Sequence, residues 1–210
     1  MLAPLILDNP ITAIAKRWRD EAIRRWNEPG EMTTIGDATI TSPVDRAERK
    51  VRLHLALWPA KQGQRPVKAK TIPPNTGDQL PKDGYYNVLL NRLYPPGNPG
   101  LLMATLLHEL AHTVDPHFDA DCLARQQVEP DSEYDLPSEQ RAFTAMWIEE
   151  LRERMKEYPN RSGASFISGI KADSDEFRAF HQHAMTGFSD ALENQVKYHF
   201  NKMAEYIKTG

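Results

Sequence analysis

The chain has 210 residues, 40% of them hydrophobic, and a formal net charge of −3. This length and composition are sufficient for a sizeable core and predict one domain with elaborations. The near-zero net charge produces no global field that would attract nucleic acid or a membrane surface. Because Cys122 is the single cysteine, an intramolecular disulfide and a thiolate-rich structural zinc site are both excluded.

The first ten residues, MLAPLILDNP, contain a short apolar run with no basic segment before it and no small-residue cleavage pattern after it. This pattern does not favour a secretory signal peptide. No apolar run approaches the length that crosses a bilayer. We therefore expect a cytoplasmic protein that does not contact membranes.

A helical repeat of apolar residues predicts an amphipathic helix over about 10–28. Its apolar positions are Ile11, Ile14, Ala15, Trp18, Ala22 and Trp26. The opposite face is basic, but Asp20 and Glu21 temper its charge. Such a face could touch nucleic acid, yet an ordinary solvated surface is the favoured interpretation.

Two segments have strand patterns. Residues 51–58, VRLHLALW, alternate in the period of a half-buried strand, and residues 85–94, YYNVLLNRLY, are rich in strand-forming types. Between them, the stretch 61–84 is polar and rich in proline and glycine, which predicts a long loop or an irregular hairpin.

A further helix is predicted from Pro99, with Asn98 as its N-cap and an apolar run behind it. Pro116 should end this helix near Asp115. A second long helix is predicted from Pro137, and one or two more across about 172–208. The predicted fold class is therefore α+β, with helices dominant.

The helix from Pro99 contains the sequence HELAH at 108–112. At 3.6 residues per turn, His108 and His112 project from one face and can reach a single Zn²⁺. Glu109 lies next to that face, where it can take a proton from a zinc-activated water. The alternative is a buried helix with two hydrogen-bonded histidines and a surface glutamate, but an unpaired glutamate on so apolar a helix would be costly to desolvate.

The HELAH helix, followed by YDLPSEQRA at 134–142 opening another helix, resembles the zincin metallopeptidases, and most closely the gluzincin arrangement. The resemblance implies a single zincin-like domain over 1–210, with a small twisted β-sheet packed on the HExxH helix. It also implies an edge strand that binds an extended peptide. The segment 85–94 is a candidate for that strand.

In gluzincins a glutamate on a downstream helix completes the zinc site, and here Glu139 has that place beside His108 and His112. Glu139 could instead cap its own helix. The third ligand would then be His117 or, failing that, one of Asp119, Glu133 and Asp135. The sequence disfavours His117, because Pro116 ends the helix and no glycine allows a sharp return of the chain.

Two departures from related patterns matter. Metzincins require a glycine and a third histidine where this chain has Asp115 and Phe118, so that family is excluded as a close match. In the thermolysin pattern an aspartate that orients a histidine stands where this chain has Phe143. Asp115 is the nearest candidate for such an orienting carboxylate, although a role at the helix end is as well supported.

These features predict a zinc-dependent metallopeptidase that hydrolyses a peptide or protein substrate, with Glu109 as general base. Tyr134 is the first candidate for stabilising the oxyanion, with a packing role as the alternative. Further candidates for that role are His181, His183 and His199. The competing functions are a zinc hydrolase of non-peptide substrates and a zincin-scaffold binding module without turnover. The presence of Glu109 disfavours the module, which would need no general base.

Overall fold

The computed structural model describes residues 5, 7, 9–59, 67–76, 80–95, 99–124, 137–139, 141–143 and 145–146. The elements in chain order are α1 (Asn9–Arg25), β1 (Met32–Thr41), β2 (Glu48–Ala56), β3 (Ala69–Ile72), β4 (Tyr85–Asn91), α2 (Pro99–Val114) and α3 (Phe118–Ala124). The described residues between 137 and 146 are also helical, and we call them the Glu139 segment. Helices combined with a four-stranded sheet confirm the predicted α+β class. The helices predicted across 172–208 lie outside the described residues.

The sheet has the strand order β1-β2-β4-β3. β1 pairs with β2 in antiparallel orientation, β2 pairs with β4 in parallel, and β3 pairs with β4 in antiparallel orientation. The strand pairing therefore leaves β1 and β3 at the two edges of the described sheet, with β2 and β4 inside it.

The expectation that 85–94 binds an extended peptide is wrong, because β4 is an internal strand. β2 and β3 already occupy its two backbone edges. Its residues from Tyr86 to Asn91 are all buried, as is usual for a strand covered on both faces. Among the described strands, β3 is the one that lies at an edge of the sheet and packs most extensively against α2.

Two strands were not predicted. β3 lies within 61–84, where a long loop or an irregular hairpin was predicted; its antiparallel pairing with β4 fits the hairpin alternative and excludes a loop over 69–72. In β1, the register shifts between Thr34 and Gly36. Because Ile35 lies at this bulge, Ile35 and Ile40 are not separated by an even number of positions. The alternation of apolar and polar residues that identifies a strand in sequence is therefore absent.

The helices agree with their predicted positions more closely than the strands do. α1 begins at Asn9 but ends at Arg25, three residues before the predicted boundary. α2 runs from Pro99 to Val114, which confirms both the proline start and the stop before Pro116. The buried Ser42 hydroxyl donates to the Val114 carbonyl at 2.9 Å and so satisfies one carbonyl of the last turn. None of the described helices combines the length and apolar composition that a membrane crossing requires.

The core lies between the sheet and the helices. α1 packs against β1 and α2, and α2 in turn lies against β3 and, less extensively, β2 and β4. Fully buried side chains from these elements meet there, including Trp18, Leu53, Leu55, Val88, Leu106 and Leu110. This packing holds α2 rigidly against β3, which brings the HExxH motif next to an edge of the sheet.

Candidate metal centre

The two motif histidines lie in the second half of α2, which is largely buried. Leu106, Leu107 and Leu110 on the neighbouring faces are buried, so the helix has one fixed rotation about its axis. His108 and His112 then project to the same side, with their Nε2 atoms 3.1 Å apart. The ring planes are close to perpendicular, at 88°. Both nitrogens point to one small region of space.

Glu139 completes this cluster from the Glu139 segment. Its Oε2 lies 3.2 Å from Nε2 of His108, and its Oε1 lies 3.3 Å from Nε2 of His112. The glutamate is 6% exposed, so its carboxylate is enclosed by the two helices. Among the described residues, this is the one group of three His, Cys, Asp or Glu side chains arranged to hold a metal ion.

The cluster fits a small divalent cation. A tetrahedral ion with donor atoms at about 2.0–2.2 Å keeps those donors roughly 3.3–3.6 Å from one another. The two imidazole nitrogens are 3.1 Å apart, and each lies 3.2 or 3.3 Å from one of the two Glu139 oxygens, at or just below that range. Two imidazoles and one carboxylate are also the donor set of several catalytic zinc sites. His108, His112 and Glu139 could therefore hold a metal ion after shifts of a few tenths of an ångström.

Aromatic side chains hold the two imidazoles in place. The ring of Phe143 lies 4.3 Å from that of His108, and the ring of Phe118 stacks on that of His112 at 4.6 Å. Phe143 occupies the position where the thermolysin pattern has an orienting aspartate. Ring packing therefore contributes to the orientation of His108. In the sequence Phe143 stands out only as a departure from that pattern, and no spacing rule predicts its contact with His108.

Asp115 connects the two ligand-bearing helices. Its Oδ1 accepts hydrogen bonds from Nη1 of Arg141 at 2.7 Å and from the main-chain N–H of His117 at 2.9 Å. The side chains of Asp115 and Arg141 are 1% and 5% exposed, so the ion pair is buried. In the structure this carboxylate thus acts at the end of α2 and as the partner of Arg141, two residues after Glu139.

Glu109 is directed toward the sheet. Its Oε2 accepts a hydrogen bond from the Thr71 hydroxyl at 2.7 Å, and that hydroxyl is also 3.0 Å from the Glu109 main-chain oxygen. Both residues are buried, at 6% and 9% exposure. Within the described chain, Oε1 of Glu109 has no hydrogen-bond donor. The carboxylate is therefore held through one oxygen.

The other candidate residues lie elsewhere. His117 is exposed and is not part of the cluster. Asp119 is also exposed and accepts a hydrogen bond from the Tyr86 hydroxyl. Cys122 is partly buried against the core. The remaining candidates lie outside the described residues, namely Glu133, Tyr134, Asp135, His181, His183 and His199.

No protein-family model, no curated protein and no solved structure matches this chain. The geometry of the cluster is thus the main guide to its function.

Proposed function

We propose that the protein is a zinc-dependent metallopeptidase of the zincin type. His108, His112 and Glu139 would hold the zinc ion, and Glu109 would act as the general base. The observation that carries this proposal is the convergence of two imidazole nitrogens and one carboxylate, from two separate helices, at separations that suit a tetrahedral ion.

When bound, zinc would supply Lewis acidity, which brings the pKa of a coordinated water toward about 7 and polarises a carbonyl. Side chains of the protein supply the remaining chemistry. The two imidazoles bind in their neutral form, and the Glu139 carboxylate contributes negative charge. Glu109, through its Oε1, accepts the proton from the attacking water and returns it to the leaving amine. Tyr134 stays the predicted donor to the oxyanion.

A peptide substrate is supported by the outer edge of β3, which no strand of the described residues occupies. The Asn91 N–H donates to the Lys68 carbonyl at 2.8 Å, and these two residues continue the β3–β4 register by one position, so they form a hydrogen-bonded pair of the antiparallel ladder. Since such pairs alternate along a ladder, the main-chain groups of Ala69 and Thr71 point away from β4. An extended peptide could pair with these groups beside Glu109.

The test is Glu109→Gln, because the amide keeps the size of the side chain but cannot accept the proton. We expect hydrolysis of a quenched fluorogenic peptide library to fall by about 10²-fold or more, while elemental analysis still finds close to one zinc per chain. Glu31→Gln, at an exposed position before β1, is the matched control and should keep full activity.

Activity of Glu109→Gln within about tenfold of the unaltered protein would contradict the assigned role. Absence of transition metal from repeated preparations made without chelator would overturn the proposal as a whole. If the protein binds zinc and cleaves no peptide, but hydrolyses an ester in a reaction that depends on Glu109, the site would be assigned to the hydrolysis of non-peptide substrates.

A further inference from the structure

The contact between Thr71 and Glu109 joins the edge of the sheet to the candidate general base. The two residues are 38 positions apart in sequence, and their side chains meet at 2.7 Å in a buried environment. Thr71 stands in β3 opposite Val88 of β4. Its side chain faces α2, while the alternation of the ladder directs its main-chain groups to the outer edge.

The hydroxyl has a single hydrogen, so it can donate fully to only one acceptor. The Glu109 carboxylate oxygen, at 2.7 Å, is nearer than the Glu109 carbonyl oxygen, at 3.0 Å. A hydrogen bond to a charged carboxylate is also about twice as strong as one between neutral groups. The proton therefore belongs mainly to the bond with Oε2, which leaves Oε1 as the oxygen that can accept a proton.

The Glu109 side chain has three rotatable torsions, and their rotational freedom is lost when the carboxylate is ordered. Thr71 removes much of that freedom before any substrate arrives. A general base is effective only within hydrogen-bond reach of the proton that it takes. Fixing the carboxylate through one oxygen is a direct way to meet that requirement.

We propose that Thr71 is a positioning residue for Glu109. Its hydroxyl holds the carboxylate in the orientation for proton transfer, and its main chain lies at the strand edge available to a peptide. The same residue thus fixes the base relative to the substrate backbone. The catalytic part of this inference rests on the proposed peptidase function, whereas the orientation of Glu109 can be measured without it.

The kinetic test compares Thr71→Val, which removes the hydroxyl and keeps the branched shape, with Thr71→Ser, which keeps the hydroxyl. On the library peptide that is cleaved fastest, we expect Thr71→Val to lower kcat by about 10- to 100-fold, which reaches only the lower end of the effect of losing a general base because Glu109 itself is retained. KM should change by less than about threefold, since the main-chain groups are retained. Thr71→Ser should restore kcat to within about threefold of the unaltered protein. Thr39→Val, at an exposed position of β1, is the matched control.

The independent test is a pair of crystal structures of the zinc-loaded protein, one unaltered and one with Thr71→Val. We expect one Glu109 conformer with Oε2 bonded to Thr71 in the first, and several conformers or a displaced carboxylate in the second. An identical single conformer in both would overturn the proposal, as would a kcat for Thr71→Val within threefold of the unaltered value in an active enzyme. If the carboxylate depends on Thr71 but no peptide is cleaved, the peptidase function fails and the positioning role stands.

Discussion

Glu139 and His117 were the two leading candidates for the third metal ligand, and their surroundings differ sharply. Glu139 is 6% exposed and has a carboxylate oxygen near each motif histidine. His117 is exposed, and its described hydrogen bonds are made by its main chain, whose N–H donates to the Asp115 carboxylate and whose carbonyl accepts from the Asp121 N–H. Sequence spacing alone could not separate them, because the choice depends on which downstream segment packs against α2.

Zinc affinity should therefore depend on Glu139 and not on His117. We expect Glu139→Ala to weaken binding by several orders of magnitude, because it removes one of three protein donors and the negative charge. We expect His117→Ala to change the affinity by no more than a few-fold. Competition with a chromophoric chelator measures both variants, and the reverse ranking would transfer the ligand role to His117.

At the scale of residues, the sequence could predict only those features of the site that depend on neighbouring positions. The common direction of His108 and His112 follows from helix geometry within five residues. The contacts of Glu109 with Thr71 and of His108 with Phe143 join residues 38 and 35 positions apart. No spacing rule covers such distances, because they depend on how β3 and the Glu139 segment dock on α2.

At the scale of elements, the buried ion pair of Asp115 and Arg141 fastens the Glu139 segment to the end of α2. At 2.7 Å the attraction between the two buried charges largely offsets the free energy lost by removing them from water. If one partner is removed, the other remains buried as an uncompensated charge. Arg141 follows Glu139 by two residues on the same helical segment. Loss of the pair should therefore disturb both the packing of this segment and the position of its carboxylate.

We expect Arg141→Met to lower the free energy of unfolding by about 3–5 kcal/mol, as is typical when one partner of a buried pair is removed. Zinc affinity should fall in the same variant. The double variant Asp115→Asn with Arg141→Met should recover part of the stability, since no buried charge remains and the amide oxygen can still accept from the His117 N–H. Urea titrations of the single and double variants provide the measurement.

Arg24→Met is the matched control for that experiment, since Arg24 pairs with Glu21 on the exposed face of α1. Exposed pairs contribute little because water screens them, so no measurable change is expected. Equal stability of Arg141→Met and Arg24→Met would show that the buried pair does not hold the segment in place.

The elements themselves were predictable to different degrees. α1, α2, β2 and β4 have strong apolar periodicity or dense strand-forming composition, and they lie where the sequence indicated. β3 has four residues between proline-containing stretches, which is too short for a periodic signal. The edge position of β3, and with it the orientation of Thr71, depends on strand order, which no local pattern encodes.

For the whole molecule, an ion bound at the candidate metal centre would crosslink two parts of the chain. Two ligands belong to α2, which is packed into the core against the sheet, and the third belongs to the Glu139 segment. In the unfolded chain these donors are far apart on average, so an ion binds the folded state preferentially. Binding free energy then adds to the free energy of unfolding.

Removal of zinc should accordingly lower the melting temperature. Free zinc at a thousandfold excess over Kd stabilises the folded state by about 4 kcal/mol, which corresponds to roughly 8–16 °C in Tm for a chain of this size. Scanning calorimetry with zinc, and then with excess chelator, measures the difference. Glu139→Ala should melt near the temperature of the chelated protein and respond weakly to zinc, whereas Glu109→Gln should keep the full response because it is not a ligand. A melting temperature that stays constant while zinc is demonstrably removed would show that the ion does not join α2 to the Glu139 segment.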